Sequence, residues 1–125
     1  MTVATPTQTR EIVRAYYDAW SRRDVEAASQ YFAENLDFTG ALRRGSTAAE
    51  YVDVLNTFLK LVTSGNDLIS ELYGDNEATL IYDSHTVAGT IRIAEHIRVA
   101  DGTISAVNLI LDPTAIVAFR ASRGQ

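Results

Sequence analysis

The sequence predicts an α+β domain in which three N-terminal helices pack on a curved, mainly antiparallel sheet. Three observations carry this expectation. The chain has 125 residues, the usual size of one domain with one core. Its apolar residues recur at helical spacing up to Gly65 and alternate after it, so helices come first and strands follow, which is the α+β order. The later apolar runs are separated only by Asp75-Asn76, Ala88-Gly89 and Asp101-Gly102, and connections that short join antiparallel neighbours.

Ile12, Val13, Tyr16, Tyr17 and Trp20 fall on one face of a first amphipathic helix, opposite Arg10, Glu11, Arg14 and Asp18. Asp24 is placed to cap a short second helix whose Val25, Ala28, Tyr31 and Phe32 share a face, with Asn35 as its exit. Residues 36–42 read as a strand, and Arg43-Arg44-Gly45 as the polar loop after it. Thr47 and Glu50 form a capping box for the third helix, in which Tyr51, Val54, Leu55, Phe58, Leu59 and Val62 repeat until Gly65. Residues 68–73, 78–87, 91–99 and 103–111 are then rich in Ile, Val, Thr, Leu and Tyr, and a four-stranded meander is the simplest way to join them. Residues 1–8 and 121–125 show no periodicity and are expected to be loose tails around a single unit at 9–120.

With 46% apolar and 22% charged residues, the composition is that of a globular protein. There is no cysteine, no charged-then-apolar leader and no apolar run near the roughly 18 residues of a membrane span, so a cytoplasmic protein away from membranes is expected. The net charge is -5 and the basic residues are scattered, which gives no footprint for a phosphate backbone and argues against nucleic-acid partners. Two histidines without cysteine or helical His-x-x-x-His spacing fall short of a closed metal site. Phosphate-binding glycine loops and a Gly-x-Ser-x-Gly elbow are absent, which removes support for nucleotide binding and serine acyl transfer.

Tyr-x-x-x-Trp-Ser-Arg-Arg-Asp from Tyr16 to Asp24, the run Tyr31-Phe32-Ala33-Glu34-Asn35 and the hairpin Val99-Ala100-Asp101-Gly102-Thr103-Ile104, together with the order of elements, resemble the nuclear transport factor 2-like superfamily. Within it, residues 9–119 or so are similar to the SnoaL-like proteins and the ketosteroid isomerases. The resemblance implies a cystatin-like cone with an internal apolar pocket, no cofactor, an apolar small molecule as partner, and a homodimer formed through the outer face of the sheet. Its motifs are mainly structural and speak to fold before chemistry.

Ketosteroid isomerase chemistry needs a carboxylate base beside an oxyanion hole made of a phenol and a protonated acid. The resemblance puts Tyr16 at the phenol position and Glu95 at the acid position. It puts Gly40 where the base should stand, and Asp37 is an odd number of residues away and so points to the opposite face. Steroid isomerisation by that route is therefore disfavoured. Limonene epoxide hydrolases, also similar, use an aspartate, arginine, aspartate relay. Arg92 and Arg98 share the face opposite Glu95, and Asp112 follows the last strand, so that relay fits poorly.

Glu95 shares a strand face with Ile93, Ile97 and Val99. A carboxyl there is desolvated, which favours a neutral donor or a poised acid or base; the alternative is a core acid that hydrogen-bonds Tyr16 or Trp20. His96 points away from it. Asp83 and His85 share a face and are catalytic candidates as a proton-transfer pair. If Leu80, Tyr82, Ser84 and Thr86 face the pocket, as the resemblance implies, the pair lies outside. Trp20, Phe38, Tyr51, Leu55, Phe58, Tyr82, Ile97 and Leu109 are the candidate ligand contacts. Two readings follow: a cofactor-free isomerase or cyclase moving protons on an apolar carbonyl compound, or a non-catalytic dimeric ligand-binding or protein-interaction module.

Overall fold

The alternating runs form long strands whose turns carry left-handed residues. In the computed structural model, which describes residues 3–124, the chain runs α1 (Pro6–Ser21), α2 (Val25–Ser29), β1 (Phe32–Thr39), β2 (Arg44–Gly45), α3 (Ala48–Leu59), β3 (Val62–Gly74), β4 (Glu77–Thr86), β5 (Gly89–Ala100), β6 (Thr103–Ile110) and α4 (Thr114–Ser122). Strands β3 to β6 make an antiparallel meander. Positive φ at Asn76, and at Asp101 followed by Gly102, turns the chain tightly between strands. The sheet has six strands in the order β2-β1-β6-β5-β4-β3, because β1 pairs in parallel with β6 and β2 folds back on β1.

One face of this mixed, curved sheet is apolar. Ala78, Leu80 and Tyr82 of β4 and Ile91, Ile93, Ile97 and Val99 of β5 alternate into the core, as period two requires. Helix α1 crosses β3 and β4, and α3 packs on β1. Val13, Tyr16, Trp20, Tyr51 and Leu55 supply the helical side of the core. Among the described residues no helix is long and apolar enough to cross a membrane.

The structure departs from the sequence expectation at several places, beginning with the strand expected at 36–42, which ends at Thr39, and the expected loop Arg43-Arg44-Gly45, whose last two residues form β2. Of the four helices, α1, α2 and α3 precede the meander, but α4 follows it. It was hidden because only Ile116 is fully buried on it and its start signal is the unassuming Asp112, whose Oδ1 accepts from the Thr114 N–H and hydroxyl at 3.0 and 2.6 Å. The second helix stops at Ser29, and Phe32 belongs to β1. There the Ile104 N–H donates to the Tyr31 carbonyl at 2.6 Å and Phe32 pairs with Ile104, so strand pairing overrides local helical spacing. The third helix ends at Leu59 rather than near Gly65. Arg23 Nη2 donates to the Leu59 carbonyl at 2.7 Å and Val62 already pairs with Thr86. Gly65 instead sits at a register shift within β3 with φ +93°, a bulge that a glycine tolerates.

The N-terminal segment expected to be loose is anchored from residue 4. The Ala4 N–H donates to Asn76 Oδ1 at 3.1 Å and the Ala4 carbonyl accepts from the Asn76 N–H at 3.2 Å. Thr5 and Gln8 then close a capping box over Pro6. At the other end, Ala121 and Ser122 are helical. Residues 1, 2 and 125 of the expected tails lie outside the described residues.

Asn76 also donates from Nδ2 to the Val99 carbonyl at 2.8 Å, so one turn residue ties the entry of α1 to β5. Asn76→Gly keeps the positive φ and removes both side-chain bonds. A loss of about 1–2 kcal/mol is expected at roughly 1 kcal/mol per bond, read as a lower urea midpoint, with faster proteolytic cleavage ahead of α1.

Candidate functional site

Register on two neighbouring strands sets the centre of the site. Glu95 of β5 lies between Leu80 of β4 and Leu109 of β6, and its side chain is fully buried. Tyr16 reaches it from α1, donating to Oε1 at 2.7 Å, and Tyr82 from β4, donating to Oε2 at 2.5 Å. Tyr51 of α3 lies 2.6 Å from the Tyr16 hydroxyl. A phenol has one hydrogen, so with Tyr16 donating to Glu95, Tyr51 must donate to Tyr16. The result is a directed chain from Tyr51 through Tyr16 to one carboxyl oxygen, with Tyr82 on the other.

Aromatic packing fixes these hydroxyls. Tyr16 meets Phe32 edge-on at 5.6 Å, Tyr51 packs on Phe38 at 5.3 Å, and Tyr82 sits between Tyr17 and Trp20 at 5.1 and 5.8 Å. Burial pushes the Glu95 carboxyl above its ordinary range, while the hydrogen bonds from Tyr82 and Tyr16 act in the opposite direction without cancelling it. Burial, and then the nearness of Glu95, push Tyr16, Tyr51 and Tyr82 well above a normal phenol.

A cavity of about 260 Å³ opens beside this cluster. Glu95, Tyr82 and Ile93 form its sheet side, Trp20, Leu55 and Phe58 its helical side, and Leu109 and Ile116 the wall towards α4. The loop at 40–43 and Arg120 complete it. Leu42 and Arg43 are exposed there and mark its mouth. Tyr16, Tyr51, Phe38 and Ile97, although buried, are not among the cavity-lining residues. Tyr16 thus meets Glu95 away from the cavity, and Tyr82, already a candidate ligand contact, is the phenol that borders both the acid and the cavity.

Asp83 and His85 are on the outer face of the sheet. Asp83 pairs with Arg92 at 2.8 Å, and His85 Nε2 with Asp67 at 2.7 Å. They do not act as a pair and do not reach the cavity, because β4 presents Tyr82 and Ser84 inward and their neighbours must point out. His96 pairs with Glu77 on that same outer face. Gly40 lies in the cavity wall and Asp37 is exposed, so Glu95 is the only carboxylate among the lining residues. Asp112 is spent on Thr114. Among the described residues no cluster of three metal-ligating side chains forms. Arg120 and Ile116 were missed with their helix; their i, i+4 spacing was the available signal.

The SnoaL-like domain profile matches residues 13–107, most of the chain. The chain belongs to the SnoaL-like domain family. A Kribbella flavida crystal structure shares 27% identity with this SnoaL-like chain at a TM-score of 0.87, covering 94% of it and 98% of the other protein. A second Kribbella flavida protein, provisionally described as a ketosteroid isomerase, matches at 18% identity and TM-score 0.76 over 86% and 79% of the two chains. A Sinorhizobium meliloti protein provisionally described as a polyketide cyclase matches at 17% identity and TM-score 0.71 over 80% and 94%. The latter two likenesses establish fold alone. No curated protein shows a significant sequence match.

The raised carboxyl of this SnoaL-like chain has a signed consequence. The folded state holds the Glu95 proton at pH values where the unfolded chain, with an ordinary value near 4.5, has lost it. The contribution of Glu95 to stability therefore falls as pH rises above about 4.5, by at most about 1.4 kcal/mol per pH unit, until the folded value is passed. Glu95→Gln removes that decline, so the stability gap between variant and wild type shifts in favour of the variant as pH increases. Urea midpoints between pH 4 and 9 test this; a gap independent of pH contradicts it.

Proposed function

We propose that the cavity binds a compact apolar carbonyl compound and activates its oxygen by proton donation from the Glu95 and Tyr82 pair, acting as a cofactor-free cyclase or isomerase. The observation that carries this reading is that the acid and the phenol both border the cavity and are hydrogen-bonded to each other at 2.5 Å. Once protonated, Glu95 needs an acceptor for its own hydrogen, and Tyr16 and Tyr82 are the phenols that adjoin it. Donation to Tyr82 releases the phenol hydrogen towards the cavity. A proton then passes from Glu95 to Tyr82 oxygen as the Tyr82 proton passes to the ligand oxygen, leaving the carboxylate under two donors. The α-hydrogen of the carbonyl compound leaves to water, since Gly40 offers no base.

The apolar walls support a hydrophobic body for the ligand, and burial, by raising the acid above its ordinary range, favours its protonated, donating form. The cavity volume is near the lower end of the usual range of about 300–1,000 Å³, which favours one or two rings over a steroid. The provisional names of two fold neighbours, a ketosteroid isomerase and a polyketide cyclase, are in keeping with this class. A second reading has its own support: both Glu95 oxygens are already satisfied by phenols, as in a core acid of a non-catalytic binding module.

Deuterium exchange at the α-carbon of small cyclic ketones and 1,3-diketones, followed by NMR in heavy water, separates the two. Under the catalytic reading, exchange is accelerated by the wild type and drops about 10²-fold or more, within the range of general acid catalysis, in both Tyr82→Phe and Glu95→Gln. Binding without accelerated exchange leaves the module reading, and a Glu95 carboxyl titrating at its solvent value removes the catalytic one.

A further inference from the structure

Two features of the cavity play no part in proton donation. The first is Trp20, which is 1% exposed and lines the cavity. Its Nε1 is buried and has no acceptor in the protein. A buried donor left unmade is costly, the rings of Tyr17, Phe58 and Tyr82 pack against Trp20 without offering it an acceptor, and an occupant of the cavity that did so would relieve that cost.

The second feature is charge. The chain carries 16 acidic residues against 11 Lys and Arg, yet the charged residues lining the cavity are two arginines, Arg43 and Arg120, and the interior Glu95. Arg120 stands one helical turn beyond Ile116, which is buried in the same wall, so α4 aims both at the cavity. Among the described residues Arg120 makes no ion pair. Arg43 gives Nη1 to Asp53 at 2.7 Å, a partner on the exposed surface, and keeps the rest of its planar fork of donors.

We propose that the cavity takes an apolar carboxylic acid, its carboxylate held at the mouth by Arg120 with Arg43 beside it, and an inner oxygen accepting from Trp20 Nε1. The inference rests on the assignment of the cavity as a small-molecule site and names the class of molecule. A guanidinium meets a carboxylate with two parallel hydrogen bonds, which fixes the orientation: anionic end outward, apolar body inward, reacting oxygen towards Tyr82 and Trp20. An acid at the mouth does not meet a repelling charge while Glu95 holds its proton.

Trp20 is the single tryptophan of the chain, so its fluorescence reports on the cavity directly. Titration with 4-phenylbutyrate, its methyl ester and 4-phenylbutylamine compares three bodies of similar shape with negative, neutral and positive ends. The acid is expected to bind about tenfold more tightly than the ester, as loss of one charge-assisted bond implies, and the amine more weakly than both. The acid's affinity falls with added salt and the ester's does not. Arg120→Met brings the acid to the level of the ester, and Arg120→Lys restores part of the difference; circular dichroism confirms that both variants fold. Equal binding of acid and ester to the wild type, or a preference for the acid that survives Arg120→Met, overturns the inference and leaves the pocket assignment intact. Failure of all three to perturb Trp20 also overturns it, and the ketone exchange experiment then judges the pocket assignment separately.

Discussion

The structure depends on keeping one carboxyl group dry. Burying an acid among aliphatic side chains is unfavourable unless its oxygens are satisfied, and here satisfaction comes from helix and sheet at once. Tyr16 comes from α1, Tyr51 from α3 and Tyr82 from β4, while the acid itself is on β5. Hydrogen-bond geometry tolerates only a few tenths of an ångström, so the cluster constrains how both helices sit on the sheet. Apolar packing alone is less demanding, because a slipped helix still buries oily area. The polar knot supplies register where the greasy core supplies adhesion.

Alternation made most of the sheet legible. The inward set on β4 and β5, with Glu95 inside and Asp83 and His85 outside, follows from period two once one face is known to be buried, and resemblance chose the face. The four-strand meander was likewise readable from its turns. Elements whose existence depends on distant partners were not. Phe32 has helical spacing in the sequence but is drawn into β1 by Ile104, more than seventy residues on, and α4 lacks a continuous apolar stripe because it touches the rest through little more than Ile116 and Phe119. The identity of the carboxyl group was visible; its partners were only partly so. Tyr16 was anticipated beside it, but which phenol would also face the cavity is a matter of three-dimensional depth that spacing along a strand does not encode.

The comparison with steroid-type chemistry turns on a glycine. Gly40 lies in the wall where a base would be wanted, and a Cβ added there would stand 3.1 Å from the Arg43 carbonyl oxygen. A side chain at this position would ask the Arg43 carbonyl to give by a few tenths of an ångström, and that carbonyl is held by the Gly40 N–H donating to it at 2.7 Å. The tight contact at this turn therefore favours glycine over a side chain that could carry a base. Fold similarity to isomerases says little about such a detail, since the cone is retained whether or not a proton acceptor lines it.

Helix α4 contributes to the cavity while contributing little to the core. Its wall residues Ile116 and Arg120 are separated in sequence from every group that holds Glu95, and they come after the sheet is complete. Mutations, insertions or shortened versions of that segment can reshape the doorway while the acid and its phenols stay as they are. The outer wall of the cavity and the buried acid are thus set by separate parts of the chain, and either can change in sequence while the other keeps its contacts.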